Sequence, residues 1–218
     1  MKYILLLLAL GCALCFSAWR QKRARIVFFG DSITELAVKP GGYISQLRDS
    51  LPAAEYELLG AGVSGNKVYD LYLRLDEDVL AKQPDQVFIF VGVNDVWHKR
   101  LLGTGTDADK FRRFYTALIQ KMQANPLRLV LCTPACIGEK TDCTNPLDGE
   151  LNLYAQIIRE LAEAHGCGLC DLRTAFLDYN VKHNAGNLEK GVLTTDGVHL
   201  NTVGNTLVAE QMLGFIRE

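Results

Sequence analysis

Short apolar runs alternate with amphipathic stretches along most of this chain, and this alternation constrains the fold more than any other feature. The run at 87–91 is apolar at every position, which is typical of a strand whose parallel sheet is covered on both faces. A β-α-β-α order requires right-handed crossovers, so the chain is predicted to form a three-layer α/β/α sandwich with about five parallel strands. Predicted strands lie at 25–29, 56–59, 86–91, 127–132 and 168–171, and predicted helices at 43–50, 69–80, 109–124, 150–165 and 203–217.

Length and charge narrow the class of protein. A chain of 218 residues with 49% hydrophobic and 22% charged residues suits a single folded domain, which we place at 23–218. The formal net charge of −2 gives no electrostatic basis for binding nucleic acid. No internal repeat or low-complexity segment interrupts the pattern.

The first 22 residues differ from the rest, because an apolar run at 3–19 follows a lysine and precedes several basic residues. The run is too short for a comfortable membrane span and is typical of a secretory signal, although the basic residues after it also fit an uncleaved membrane anchor. Cys12 and the glycine before it are similar to a bacterial lipoprotein junction, with lipid attachment at Cys12, and cleavage near Ser17 or Ala18 is the alternative. We therefore expect export to the periplasm, the cell envelope or the outside of the cell, with any membrane attachment through this segment only.

The cysteines give weaker signals. Two of the seven lie in the N-terminal segment, which leaves an odd number, so at least one is unpaired within the chain. Cys136 and Cys143 flank a polar loop, where an exported protein could form a disulfide. Cys167 and Cys170 have the spacing of a redox or zinc pair, but they lead into a predicted strand and no second ligand pair is present. Both pairs are interpreted as structural, and neither a metal nor a cofactor is predicted.

Residues that could take part in catalysis lie in the predicted loops, most of them just after a strand ends. Ser32 comes directly after the first strand, Gly65 and Asn94 lie in the loops after the second and third, and Asp196 and His199 precede the last helix. Because the carboxyl ends of parallel strands meet at one edge of a sheet, we expect these loops to converge. Taken singly, each residue also fits a plain structural role, such as a helix cap at Ser32 or a turn at Asp196. Four loops in this order favour a common catalytic site.

A serine needs a base before it can attack a carbonyl, because its own pKa leaves it almost wholly protonated. His199 is the candidate base, and Asp196, three residues earlier, is close enough to accept a hydrogen bond from its ring. The anion that forms needs donors, and the candidates are the backbone N–H groups of Ser32 and Gly65 and the side-chain amide of Asn94. The pattern thus predicts a catalytic triad and an oxyanion hole that share Ser32.

These blocks carry a resemblance to a known family. Gly30-Asp31-Ser32-Ile33, the glycine at 65, Gly92-Val93-Asn94-Asp95 and Asp196-Gly197-Val198-His199 are similar to the first, second, third and fifth blocks of the SGNH (GDSL-type) hydrolases, a family of serine esterases and lipases. The resemblance extends from residue 25 almost to the C-terminus. It implies a flavodoxin-like sandwich, the same triad and oxyanion hole, and ester hydrolysis through an acyl-enzyme. In the second block Gly62 is the alternative to Gly65.

The expected substrate depends on the loops around the site. Loops at 36–42, 96–109 and 133–147 are predicted to line the cleft, and none of them is a long apolar lid, which favours short acyl groups. The segment 195–201 resembles both the lysophospholipase-like and the carbohydrate acetylesterase-like members of the family. We expect hydrolysis of acetyl esters on a carbohydrate, either a small molecule or a polysaccharide. The alternative is a lipid ester, cleaved by a lysophospholipase- or lipase-type acylhydrolase.

Three other classes of protein fit parts of the sequence. Residues 60–65 satisfy the dinucleotide pattern G-x-G-x-x-G, but they follow the second strand instead of the first. A metal-dependent phosphoesterase could use four side chains as ligands, which are Asp31, Asp95, Asp196 and His199. It would leave Ser32 and Asn94 without a role. A binding module that kept the fold without catalysis would not need the complete set of site residues.

Overall fold

The computed structural model describes residues 22–217, in which five parallel strands form one sheet in the order β2-β1-β3-β4-β5. The strands are β1 Ala24–Gly30, β2 Tyr56–Gly62, β3 Gln86–Phe90, β4 Arg128–Cys132 and β5 Gly168–Cys170. Every residue of β3 is buried, because helices cover both faces of the sheet. The predicted α/β sandwich is therefore confirmed, and each predicted strand ends within three residues of the observed one.

Helices occupy most of the connections between strands. Within the described residues they are α1 Ser32–Leu36, α2 Tyr43–Ser50, α3 Val68–Asp78, α4 Val93–Leu102, α5 Ala108–Gln123, α6 Asp148–His165, α7 Leu172–His183 and α8 Thr202–Arg217, with a 3₁₀ turn at Leu80–Lys82. The five helices predicted from their periodicity correspond to α2, α3, α5, α6 and α8, and their ends agree within two residues. An apolar face repeated along each of these helices packs on the core, which is why its period is visible in the sequence.

Helices α4 and α7 were not predicted, and their buried faces explain why. The first turn of α4 buries Asn94 and Asp95, and α7 buries Arg173 and Asn180. Polar residues on a buried face hide the period of 3.6 residues that identifies an amphipathic helix. The prediction of a loop at 96–109 is accordingly wrong over its first half, which is helical.

The register of the sheet brings the ends of its strands to one edge, here called the carboxyl edge. Gly30 at the end of β1 pairs with Gly62 of β2 on one side and with Phe90 of β3 on the other. A Cβ on Gly62 would lie 2.1 Å from the backbone nitrogen of Glu35. Glycine at this position therefore lets α1 pack directly against the end of β2.

The loop at 133–147 begins inside the protein. Residues 133–137 are buried. That this loop lines the cleft stays a prediction. Cys136 is buried there and Cys143 is exposed. All five cysteines among the described residues are free thiols, so neither Cys136 with Cys143 nor Cys167 with Cys170 forms a disulfide.

The predicted signal or anchor segment, residues 1–22, includes Cys12. All of it except residue 22 lies outside the described residues. Export and lipid attachment therefore stay predictions. Among the helices that the structure describes, none combines the length and the apolar character needed to cross a bilayer.

Candidate active site

Ser32 lies at the carboxyl edge of the sheet, where β1 turns directly into α1. The side chain of Asp31 caps this helix by accepting a hydrogen bond from the Ile33 N–H at 3.0 Å. Ser32 is the first residue of the helix, and the first N–H groups of a helix have no partner within it. The N–H of Ser32 can therefore donate to an anion that forms beside it.

A line of hydrogen bonds joins Ser32 to two side chains of a loop distant in sequence. The Ser32 hydroxyl lies 3.0 Å from Nε2 of His199, and Nδ1 of His199 lies 2.7 Å from Oδ2 of Asp196. When Nδ1–H donates to the carboxylate, Nε2 keeps its lone pair and faces the serine hydroxyl. A general base for serine needs this arrangement.

Asp196 carries the charge that this line of hydrogen bonds requires. Its Oδ1 accepts the backbone N–H groups of Val198 and His199, at 2.9 and 2.8 Å. Partial burial raises the pKa of the Asp196 carboxyl, but these bonds and the one from the His199 ring outweigh burial and hold the pKa below its ordinary value. Asp196 is therefore ionised at neutral pH and stabilises a protonated His199.

Gly65 and Asn94 lie on the segments that follow β2 and β3. Gly65 has a φ of +78°, a conformation that glycine adopts without strain. Asn94 is buried, and its Nδ2 donates to the backbone carbonyl of Asn66 at 3.1 Å, which joins the two segments. A side-chain amide has two N–H bonds, so Asn94 keeps a second one for a ligand.

A family model of the GDSL-like lipases and acylhydrolases matches residues 28–207, a range that includes all five candidate site residues. This chain belongs to the GDSL-like lipase/acylhydrolase family. An acetylxylan esterase from Geobacillus stearothermophilus is 29% identical over an alignment of 214 residues, and the alignment covers 89% of this chain and 93% of that protein.

Solved structures of esterases have the same fold. The crystal structure of the acetyl xylan esterase AlAXEase is 54% identical with a TM-score of 0.87, covering 88% of this chain and 99% of that one. A catalytic mutant of Axe2, an acetylxylan esterase from Geobacillus stearothermophilus, carries alanine in place of a serine; it is 26% identical with a TM-score of 0.78, covering 88% and 94%. The chain is a carboxylic ester hydrolase of this family.

Arg74 of this GDSL-like hydrolase holds the ends of β1 and β2 together. Its guanidinium donates to the last carbonyl of β1 at 2.7 Å and to a carbonyl near the end of β2 at 3.1 Å. Its Nε donates to Oδ1 of Asn66 at 2.7 Å, and the Asn66 carbonyl accepts from Asn94. No sequence pattern singled out Arg74; its four-residue spacing from Asp78, with which it forms an ion pair at 2.6 Å, is the signal that could have done so.

Two further side chains hold the Gly65 turn of this hydrolase, and no sequence pattern indicated either of them. Glu35 on α1 accepts the N–H and the hydroxyl of Ser64, at 2.6 and 2.5 Å. These hydrogen bonds lower the pKa of the Glu35 carboxyl. The buried ammonium of Lys67 donates to the carbonyl of Gly65 at 3.2 Å. The turn is thus held from the α1 side and from the α3 side.

Two buried carboxyl groups of the hydrolase lie next to these loops. Burial raises the pKa of Asp31 and of Asp95 to about 7. Asp95 accepts the Val68 N–H at 3.2 Å and so ties the start of α3 to α4. These are two of the three aspartates that a metal site would use. Across residues 22–217, however, no three His, Cys, Asp or Glu side chains are grouped closely enough to hold a metal ion.

Proposed function

We propose that the enzyme removes acetyl groups from an acetylated carbohydrate, with Ser32 as nucleophile, His199 as general base and acid, and Asp196 as the partner of His199. The observation that carries this proposal is the unbroken line of hydrogen bonds from the Ser32 hydroxyl through His199 to Asp196. The acetylxylan esterases to which the chain is similar support the substrate class, and the catalytic serine mutant of Axe2 supports a serine nucleophile.

Acylation begins when Oγ of Ser32 attacks the carbonyl carbon of the acetyl ester and its proton passes to Nε2 of His199. The carbonyl oxygen becomes an anion, and the backbone N–H groups of Ser32 and Gly65 and the amide of Asn94 donate to it. When the intermediate collapses, the bond to the sugar oxygen breaks and His199 returns the proton to that oxygen. The deacetylated sugar leaves, and the acetyl group stays on Ser32.

Deacylation repeats these steps with water. Nε2 of His199 takes a proton from the water molecule as its oxygen attacks the acyl carbon, and the same donors hold the second oxyanion. Collapse releases acetate and returns the proton to Ser32. Throughout both steps Asp196 keeps the Nδ1–H of His199 in place and balances the charge of the imidazolium.

Initial rates on p-nitrophenyl esters from acetate to decanoate, together with acetate release from acetylated xylan, test this proposal. Three proteins are compared: wild type, Ser32→Ala, and the control Ser50→Ala, which removes an exposed hydroxyl at the end of α2. We expect serine-dependent rates that are highest for acetate, and release of acetate from xylan by wild type and the control only. Rates that rise toward decanoate would replace the carbohydrate by a lipid ester. Equal rates for wild type and Ser32→Ala would contradict the mechanism.

We also propose that residues 1–22 direct export, which would bring the enzyme to polysaccharide outside the cell. Fractionation of cells that produce the full chain tests this, with Cys12→Ala as the variant that cannot carry a lipid at that position. We expect activity outside the cytoplasm. Membrane attachment that is lost in Cys12→Ala would identify a lipoprotein, and activity confined to the cytoplasm would contradict export.

A further inference from the structure

Asp196 and His199 lie on a segment that contains no strand. This segment, residues 191–201, is here called the base loop, and its only β-pairing is an isolated bridge between Thr194 and Leu200. The side chains of Asp196 and His199 are 48% and 27% exposed, so the core does not enclose them. Other contacts must therefore hold the pair at hydrogen-bonding distance from Ser32.

Glu139, in the loop after β4, supplies these contacts. Its side chain is buried and receives four hydrogen bonds from the base loop. Oε2 accepts the N–H of Val192 at 2.8 Å, and Oε1 accepts the N–H of Leu193 at 2.8 Å. Oε1 also accepts the N–H and the hydroxyl of Thr194, at 2.6 and 2.7 Å. Three successive backbone N–H groups thus converge on one carboxylate, which accepts hydrogen bonds and cannot donate them.

Thr194 extends this network to the peptide group beside Asp196. Its hydroxyl donates to Glu139 and accepts the N–H of Gly197 at 3.0 Å. The carbonyl of Gly197 accepts the N–H of Gly138, the residue before Glu139, at 2.7 Å. The backbone that follows Asp196 is therefore bonded at both the N–H and the carbonyl of Gly197. The loop of Glu139 contacts the carbonyl directly and reaches the N–H through the Thr194 hydroxyl.

The loop that carries Glu139 is itself attached to the body of the domain. Asn184, at the end of α7, donates to the Glu139 carbonyl at 2.8 Å. Arg173, buried on α7, donates to the carbonyl of Ala135 at 3.2 Å and forms an ion pair with Asp148 of α6 at 2.7 Å. A buried carboxylate needs such fixed donors around it, because burial without them is costly.

We propose that Glu139 is a positioning residue for catalysis, which sets the geometry of the Asp196–His199 pair through Thr194 and Gly197. This inference rests on the proposed roles of Asp196 and His199. A carboxylate that accepts four hydrogen bonds fixes the position of residues 192–194. The Thr194 hydroxyl, bonded to both Glu139 and Gly197, in turn fixes the backbone next to the residues that hold the imidazole. A displacement of about 1 Å at a catalytic group is enough to cost about 100-fold in rate.

Glu139→Gln is the first test. Glutamine keeps the shape of glutamate but places an NH₂ group against the backbone N–H groups that the carboxylate accepts. We expect kcat on p-nitrophenyl acetate to fall about 100-fold while KM stays close to wild type. A loosened Asp196–His199 pair stabilises imidazolium less, so the acid limb of the kcat/KM profile should move to lower pH. The control Glu57→Gln removes a carboxylate that pairs with Arg25 at the opposite edge of the sheet, and it should change neither quantity.

Thr194 provides a second test that does not depend on the folding of Glu139→Gln. Thr194→Val keeps the shape of the side chain but removes the hydroxyl, and Thr194→Ser keeps the hydroxyl. We expect Thr194→Val to lose kcat and to move the acid limb in the same direction, and Thr194→Ser to stay close to wild type. The double variant Glu139→Gln/Thr194→Val should lose less than the two single losses multiplied, because both belong to one network.

The outcomes separate this inference from the proposed function. If Ser32→Ala hydrolyses p-nitrophenyl acetate as fast as wild type, the proposed function fails, whatever the Glu139 variants do. If Ser32→Ala is inactive and both Glu139→Gln and Thr194→Val keep the wild-type kcat and pH profile, with only a lower Tm, the positioning role alone is overturned and Glu139 is purely structural.

Discussion

The two halves of the site are held in place by different means. Ser32, Gly65 and Asn94 lie on the segments that follow β1, β2 and β3, and are here called the sheet-supported half. The register of the sheet brings these segments to one edge. Asp196 and His199 follow no strand, and their loop is held by hydrogen bonds to Glu139 from the loop after β4.

This difference shows what a parallel sheet supplies by itself. Backbone pairing alone places the end of each strand beside the next, and one guanidinium, that of Arg74, ties two of those ends together. A catalytic residue on a segment without a strand has no such backbone support. It needs a buried side chain whose polar atoms match the donors of that segment, and here Glu139 has that role.

The largest expected effect comes from removing one reacting group from either half. Ser32→Ala and His199→Ala should each lower kcat on p-nitrophenyl acetate by a factor on the order of 10⁶, because a nucleophile and its base act as a unit. For the same reason the double variant should be no slower than either single one. Steady-state kinetics beside Tm measurements check this. A His199→Ala variant within tenfold of wild type would remove the base loop from the mechanism.

Asn94→Ala tests the sheet-supported half without touching the nucleophile. Loss of one oxyanion donor costs about 100- to 1000-fold in kcat, with a small change in KM, because the donor acts on the charge that forms during reaction. The control is Asn125→Ala, which changes an exposed side chain after α5. Equal kcat values for the two variants would show that Asn94 serves only to join its segment to Asn66.

The contrast between the halves also explains what the sequence could reveal. Ser32, Gly65 and Asn94 each come after an apolar run, and such runs identify strands, so their meeting at one edge could be predicted. The Asp-x-x-His spacing identified the catalytic base and its carboxylate partner, but not the side chain that holds their loop in place. Glu139 and Arg74 act through backbone carbonyls and N–H groups of segments far away in the chain. No local pattern marks such contacts, because they exist only once the topology has been formed.

Arg74→Ala should damage the sheet-supported half in a way that Glu139→Gln does not. The change removes a donor from two backbone carbonyls and from the Asn66 side chain. The Gly30 carbonyl still accepts the N–H of Val63, and each buried group that is left without a partner costs about 1–3 kcal/mol of stability. We expect kcat to fall about 100-fold, as for Glu139→Gln, but with the acid limb of the kcat/KM profile unmoved, because the Asp196–His199 pair stays intact.

The control for Arg74→Ala is Asp78→Asn, which removes the ion pair and keeps the guanidinium. It should stay close to wild type in kcat. Arg74→Lys keeps the charge, but a single ammonium group cannot reach all the acceptors that the planar guanidinium binds. It should therefore be little more active than Arg74→Ala. Full activity in Arg74→Lys would mean that charge, and not geometry, is what Arg74 supplies, and the comparison between the two halves would lose its physical basis.

The smallest expected effect is a difference in how stability depends on pH. In the sheet-supported half, burial raises the pKa of Asp95 from its ordinary 3.8 to about 7. Between these values the folded state holds a proton that the unfolded state has lost, so stability is complete below the unfolded pKa and falls as the pH rises toward 7. The loss amounts to about 4 kcal/mol at most. Asp95→Asn can still accept the Val68 N–H but has no charge to bury, so its Tm should fall less than that of wild type over this range.

Asp196 in the base loop has the opposite sign. Its pKa is lowered in the folded state, so its contribution is present above the unfolded pKa and is lost as the pH falls through the folded one. The side chain is half-exposed, which limits this contribution to below about 1 kcal/mol. Tm measured from acid to mildly alkaline pH should therefore show Asp95→Asn gaining on wild type as the pH rises and Asp196→Asn losing slightly. Parallel curves for Asp95→Asn and wild type would mean that Asp95 has the same pKa in the folded and unfolded protein, and that burial does not raise it.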